Sequence, residues 1–351
     1  MSGASANQFV IRPEWLASHD EPVIDPDRPI IDAHHHLYDR PGQRYLLPDY
    51  LADLGTGHDI RGSVFVQARA MLRAGGPEAL RAIGEVEFVN GIAAMSTSGI
   101  YGSSHVCSGI VGFADLALGD RVRPVLERLI TAAGGVAGQG GRFCGIRQTL
   151  VWDRDNSLLN AAYPTSAEMI DQPNFREGFA HLARLGLSFD AWAFFPQLGA
   201  VERLARAFPA TPIVLNHCGG IVRIHDYAEA DTLESWRRGI SDVARCPNVS
   251  VKLSGLGMRI GGFGFEDMSQ APSSFDLAFA WRPWVMHCLE AFGASRCMWG
   301  SNFPVDKGSY SLKVGVNAFK RLLADATAQE QEEVFARSAQ RFYRLPSSIV
   351  E

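Results

Sequence analysis

The sequence predicts an α/β fold, a (β/α)8 TIM barrel with an N-terminal extension and long rim loops. Three observations carry this. Eight short apolar, β-branched runs alternate with segments of helical period; the 351-residue chain has the length such a barrel needs; and the strand-like runs are almost continuously apolar. Parallel strands covered on both faces read that way, whereas one-sided sheets alternate. An open doubly wound sheet is the competing topology, but no G-x-G-x-x-G follows the first strand.

The elements follow in order. The strand "PIIDAHHHL" (29–37) leads into a loop and a short helix near "LPDYLADLG". "GSVFVQAR" (62–69) precedes a helix over 78–95, and "GIVGFADL" (109–116) precedes one over 121–133. "FCGIRQTLVW" (143–152) is followed by a helix over 174–186, and "LSFDAWAFF" (187–195) by one over 198–208. "PIVLNHCGG" (212–220) is followed by a helix over 232–246, and "NVSVKLSGL" (248–256) by one over 280–293. "RCMWGSNFP" (296–304) precedes helices over 311–326 and 330–345. No linker-like stretch or strong repeat interrupts the rhythm, so the expected organisation is an extension over 1–28 and a single domain over 29–351. Segments 153–173 and 257–279 are long for barrel loops and follow strands, which puts them on the rim where barrel active sites are built. Both are expected to act as lids.

Composition narrows the function. Lys and Arg total 33 against 38 Asp and Glu, a formal charge of −5. That mild acidity argues against nucleic acid or an anionic membrane as partner. No apolar run has the length of a membrane helix, and the start lacks the basic and apolar segments of a secretory signal. The six cysteines show no zinc-site spacing and are expected to be reduced and buried. The expected setting is cytoplasmic, the expected partner a small molecule, and the oligomeric state is open.

Polar side chains at strand ends converge over a barrel's axis. The candidates are His34 and His36, Gln67 and Arg69, Arg147, Asp190, His217, Lys252, and Asn302 with Asp306 just beyond. Strand alternation turns His34 and His36 to one side and His35 to the other. His-x-His offers two nitrogens that can share a metal or a water, and His217 could complete a set of three. Arg147 and Arg69 can grip a carboxylate, and Lys252 can do likewise or stabilise an oxyanion. Each has a structural alternative: Arg147 braces a loop, and Lys252 and Asp190 satisfy each other inside the barrel. Gln67 and Asn216 are expected to orient other groups. His35, His58, His105, His181 and His287 are expected to be structural, His225 lies on the active rim, and Cys218 is expected to be a buried thiol. Tyr38, Tyr45, Trp152, Trp192, Phe194 and Trp299 are expected mostly in the core, with a pocket wall as the alternative. No Gly-x-Ser-x-Gly elbow suggests a serine hydrolase.

"DAHHHLYD" resembles the D-x-H-x-H opening of the amidohydrolase superfamily. "GSVFVQA", "GIRQ", "LNHCGG", "VKLSGLG" and "RCMWGSNFPVDK" follow in the order of one branch of it. That branch holds TIM-barrel lactonases related to 2-pyrone-4,6-dicarboxylate lactonase and L-fuconolactonase, and the similarity spans roughly 29–345. The resemblance implies a hydrolase opening a lactone or related cyclic ester with an activated water, His34, His36 and His217 being the site histidines. It implies one divalent metal, with zinc favoured and a metal-free mechanism close behind, and a substrate that is anionic or hydroxylated. Metal-dependent decarboxylation of an aromatic acid, or silent ligand binding, are the alternatives. Asp190 replaces a ligand histidine of binuclear members, and Asn302 replaces the eighth-strand aspartate that deprotonates water. An amide cannot accept that proton, so Asp306, Asp190 or a metal is expected to compensate.

Overall fold

The computed structural model describes residues 9–228 and 231–350. Eight parallel strands form one sheet in sequential order: Ile30–His35, Ile60–Val66, His105–Gly112, Phe143–Thr149, Ser188–Trp192, Ile213–Leu215, Val249–Leu253 and Cys297–Trp299. The first and eighth strands meet just beyond the formal end of the eighth. Asn302 N donates to the His34 carbonyl at 2.7 Å, and His36 N donates to the Phe303 carbonyl at 2.8 Å. These two bonds stitch the barrel shut at the level of the histidines. The fold is the (β/α)8 barrel the sequence predicts.

Two apolar layers hold it. One lies between strands and surrounding helices, with Phe65, Phe189, Trp236 and Trp281 fully buried. The other fills the barrel interior with Ile31, Val64, Val111, Val214 and Met298, and it continues into Ala336, Ala339 and Tyr343. The closing helical segment 328–343 thus plugs the end opposite the rim. Fully burying an interior side chain such as Ile31 or Val64 stabilises by about 1.5–3 kcal/mol.

Element boundaries differ from the expected ones in three informative places. The third strand starts at His105, four residues before the apolar run that suggests it, because polar His105 and Ser108 hide its first half. The sixth strand ends at Leu215 because His217 and Cys218 turn into the left-handed region (φ 56° and 51°). The helix expected from residue 280 begins at Ser274, where Ser273 and Asp276 make a reciprocal capping box. That shortens the rim loop expected over 257–279.

Residues 9–28 run along the barrel, and residues 1–8 of the extension lie outside the described residues. Trp15 Nε1 donates to the Met268 carbonyl at 3.0 Å, and Asn317 Nδ2 donates to Glu21 Oε1 at 2.7 Å. No described helix is long and apolar enough to cross a membrane.

Candidate active site

A cavity of about 1010 Å³ opens at the carboxyl ends of the strands. Its floor is made by His36, Arg147, His217 and Asn302, and its walls include Tyr38 and Trp192. Three side-chain positions at strand ends, Arg69, His217 and Asn302, have left-handed backbone (φ 55°, 56° and 55°). For residues with a Cβ this is strained, and the surroundings must hold it. Gly255 shows how tightly: a Cβ there would lie 2.4 Å from His217 Cγ.

The histidines sort themselves by their partners. His36 Nδ1 lies 2.7 Å from the Val66 carbonyl, which can only accept, so Nδ1 carries the proton and Nε2 a lone pair. His34 Nε2 faces His36 Nε2 at 3.3 Å, and His34 Nδ1 faces Lys252 Nζ at 3.3 Å. No neutral tautomer satisfies every neighbour: Nε2–H can donate to His36 while Lys252 donates to Nδ1, but Arg147 NH1, also a donor, faces the same Nε2 at 3.3 Å. His217 sits with its ring centre 4.6 Å from that of His34, and its Nδ1 lies 3.0 Å from Ser254 Oγ. Burial, reinforced by Lys252 at His34 and by Arg147 at His36 and His217, holds all three well below the usual histidine range, so they are neutral at pH 7. His35 points the other way, stacked on Tyr50 at 4.2 Å and bonded to Ser63 Oγ at 2.9 Å.

Two cations lie under the histidines. Arg147 NH2 donates to the Gln67 carbonyl at 2.6 Å, NH1 lies 3.3 Å from His34 Nε2, and its buried Nε has no partner among the described residues. Lys252 is wholly buried and pairs with Asp190 at 2.6 Å. Asp190 also accepts from Tyr343 OH at 3.0 Å and from Asn216 Nδ2 at 3.2 Å. Lys252 and Asp190 therefore act on His34 from below and do not reach the cavity wall.

Asn302 and Asp306 form a stacked pair. Asn302 Nδ2 donates to Asp306 Oδ1 at 2.8 Å, leaving its amide oxygen as the acceptor beside the cavity. Asp306 Oδ2 accepts from Tyr310 OH at 2.8 Å and from Gly257 N at 3.1 Å. Burial pushes its carboxyl up to about 7. It sits behind Asn302, so it positions the amide and does not border the cavity.

The other expected contacts divide. Gln67 is buried with both side-chain polar atoms unpartnered among the described residues, and its carbonyl holds Arg147. Arg69 points away from the floor, donating to the Ala162 carbonyl across Tyr163, so direct substrate contact from Arg69 is not what the structure places there. His225 is tied to Asp155 at 2.7 Å in the rim loops.

The cavity also uses residues that sequence pattern does not single out for this role. Phe9, Val10, Ile11 and Pro13 of the extension line it. So do Arg40 of a short hairpin (Tyr38–Arg40 with Gln43–Tyr45), whose Tyr38 takes the pocket-wall place the sequence offered as its alternative, and Tyr163 and Met258 of the two long loops. Tyr38 OH is buried without a partner among the described residues, with Arg40 stacked on its ring at 4.5 Å. The available sign was the D-x-H-x-H-x-Y run itself, which carries Tyr38 two residues past His36 in "DAHHHLYD".

Nitrogens of two tetrahedral zinc ligands stand about 3.3 Å apart, which matches His34 and His36. The neighbouring charges fit less well: with the ring neutral, a metal on His34 Nε2 would turn Nδ1–H toward the Lys252 ammonium and set the ion near Arg147. Among the described residues, no three His, Cys, Asp or Glu side chains form a group that could hold a metal ion. Of the three metal ligands expected from the sequence, His34 and His36 bring nitrogens within 3.3 Å of each other and His217 stands beside them, with two buried cations, Lys252 and Arg147, alongside.

Comparison with known proteins places the chain. A family model described as amidohydrolase matches residues 31–345, so this protein belongs to the amidohydrolase family. An uncharacterized protein, y4mH, of Sinorhizobium fredii is 30% identical over 341 residues, 91% of this chain and 99% of that protein. An L-fucono-1,5-lactonase of Burkholderia ambifaria is 30% identical over 186 residues, covering 51% of this chain and 57% of the lactonase. A solved amidohydrolase of Burkholderia multivorans with bound zinc is 24% identical with TM-score 0.67, covering 90% of this chain and 99% of that one, a likeness of fold.

Proposed function

We propose that this protein hydrolyses a lactone, or a related cyclic ester, by attack of a water held between His217 and Asn302. The observation that carries the reading is Arg147, a guanidinium on the cavity floor beside three neutral histidines, with its NH2 held by the Gln67 carbonyl. A carbonyl seated over it gains a preorganised donor for the oxyanion, an effect commonly worth about 10²–10³ in rate. With Nδ1–H donating to Ser254, His217 Nε2 keeps a lone pair that accepts the water proton, and the Asn302 amide oxygen holds the water's other hydrogen. The resulting imidazolium, made acidic by burial and Arg147, returns its proton to the ring oxygen as the carbon–oxygen bond breaks. The product is a hydroxy acid whose new carboxylate remains beside Arg147.

This scheme answers the loss of the eighth-strand aspartate: the proton goes to the sixth-strand histidine, and Asn302 only orients. Arg40, Tyr38 and Lys307 on the walls suit a substrate with an anionic or hydroxylated arm. The partial match to an L-fucono-1,5-lactonase supports the same substrate class. The 3.3 Å spacing of His34 and His36 favours a zinc-loaded second reading, which would supply a metal-activated water; the Lys252 and Arg147 cations beside His34 weigh against it. A decarboxylase lacks a carboxyl group on the cavity wall at the eighth strand to protonate carbon, and a silent binder is disfavoured by the open cavity beside His36 and His217.

The test is a pH-stat screen of sugar 1,5-lactones and pyrone carboxylates, with carbon dioxide measured in parallel. Ring opening that drops at least 100-fold in His217→Ala is expected. Carbon dioxide release, or ring opening untouched by His217→Ala, overturns the reading.

A further inference from the structure

The rim loop after the seventh strand has a second face. Met258 lines the cavity already described, while Gly262 and Phe263 line another, of about 890 Å³, between that loop and the helices Asp231–Ala244 and Ser274–Phe292. Three guanidinium groups, of Arg223, Arg237 and Arg282, border it. Among the described residues none of the three is ion-paired, and the carboxylate on the wall, Glu290, lies 3.9 Å from His287 Nδ1.

The arginines are held, not free. The Arg223 guanidinium carbon lies 5.0 Å from the ring centre of Phe263 and 5.7 Å from that of Trp284. Its backbone N donates to the Ile260 carbonyl at 2.9 Å. Gly262 permits this closeness, since a Cβ there would stand 2.7 Å from the Arg223 carbonyl oxygen. Burial lowers the Arg223 pKa with no acid to offset it, and Arg237 Nε is buried with no hydrogen-bond partner among the described residues. Partly desolvated cations without an ion pair are costly, and an anion relieves that cost. Phe279, 87% exposed, supplies an apolar ring at the same opening.

We infer that this cavity is a second small-molecule site, which takes an aromatic carboxylate through Arg223 and Arg237 and packs the ligand's ring against Phe263 and Phe279. The site stands apart from the proposed chemistry, because none of its residues lines the first cavity. An occupant would also pin the loop that carries Met258.

The test uses benzene-1,3-dicarboxylate and inorganic phosphate as calorimetric probes of the full chain. Titrations are made in an Arg147→Gln background, so that the first cavity contributes less binding. Binding of the dicarboxylate with a Kd raised at least tenfold by Arg223→Gln and by Arg237→Gln is expected, as is slower hydrogen exchange over residues 258–268. Both substitutions remove surface-reaching groups and should keep the parent circular dichroism. An unchanged Kd in both variants overturns the inference, as does phosphate binding as tightly as the dicarboxylate. It is also overturned by a dimer in light scattering that Phe279→Glu splits, since a second copy would then cover the cavity.

Discussion

Lys252 Nζ lies 2.6 Å from Asp190 Oδ2, with both side chains wholly buried beneath the histidines. Removing one partner of such a pair leaves a buried charge uncompensated, which costs about 3–5 kcal/mol. Lys252→Met is therefore expected to lower stability by that amount in urea unfolding. The double variant with Asp190→Asn should recover part of the loss, because asparagine still accepts from Tyr343 and Asn216. A double variant as unstable as the single one would show that the pair does not act as a unit.

Arg147→Gln is expected to keep the fold and lower kcat/KM on the responding lactone by about 10²–10³, the range for one lost oxyanion donor. Arg147→Lys should not restore full activity, since a point charge cannot serve Gln67 and a substrate oxygen together. Steady-state kinetics on purified variants decide it, and wild-type rates in Arg147→Gln would remove the proposed role.

The two cations beside His34 give a prediction about metal. Chelation is expected to leave the melting temperature and turnover unchanged. Elemental analysis finding about one zinc per chain, with activity lost on its removal, would mean that His34 carries its proton on Nδ1 and that Lys252 yields one.

Glu85 makes stability depend on pH. Its Oε1 accepts from Ala68 N at 2.9 Å and Ala70 N at 2.8 Å, its Oε2 is buried without a partner among the described residues, and burial raises its pKa to about 7. The folded state then binds the proton more tightly than the unfolded state, so stability falls as pH rises from about 4.5 to about 7 and is level above that. Glu85→Gln keeps the acceptor and removes the ionisation. Its unfolding free energy relative to wild type should improve between pH 5 and pH 8; a constant difference would contradict the assignment.

Removing residues 1–13 tests the extension as part of the cavity wall. Phe9 to Pro13 touch the cavity, whereas Trp15, Glu21 and Ile24 fasten the rest of the segment to the barrel. The truncated chain is expected to melt near the wild-type temperature with a raised KM and a smaller change in kcat. An unchanged KM would make the segment a bystander.

Much of the site could be read before any coordinates. Alternation along "IIDAHHHLYD" placed His34 and His36 together and His35 apart, because strand geometry is local. The order of eight apolar runs was enough for the barrel, since continuous apolar strands need cover on both faces. Arg147 and Lys252 could be named as candidates but not told apart. Residue type and spacing carry no information on which cation meets the cavity and which is sealed against Asp190.

What the chain's own order of residues determined was therefore the barrel, the histidine pair and the absence of an acid at Asn302. Only the folded arrangement decided that Asp306 stands behind that amide, that Lys252 and Arg147 crowd His34, and that the extension walls the cavity. The reason is physical: strand periodicity acts over a few residues, whereas protonation and access depend on neighbours that lie hundreds of residues away along the chain and a few ångströms away in space.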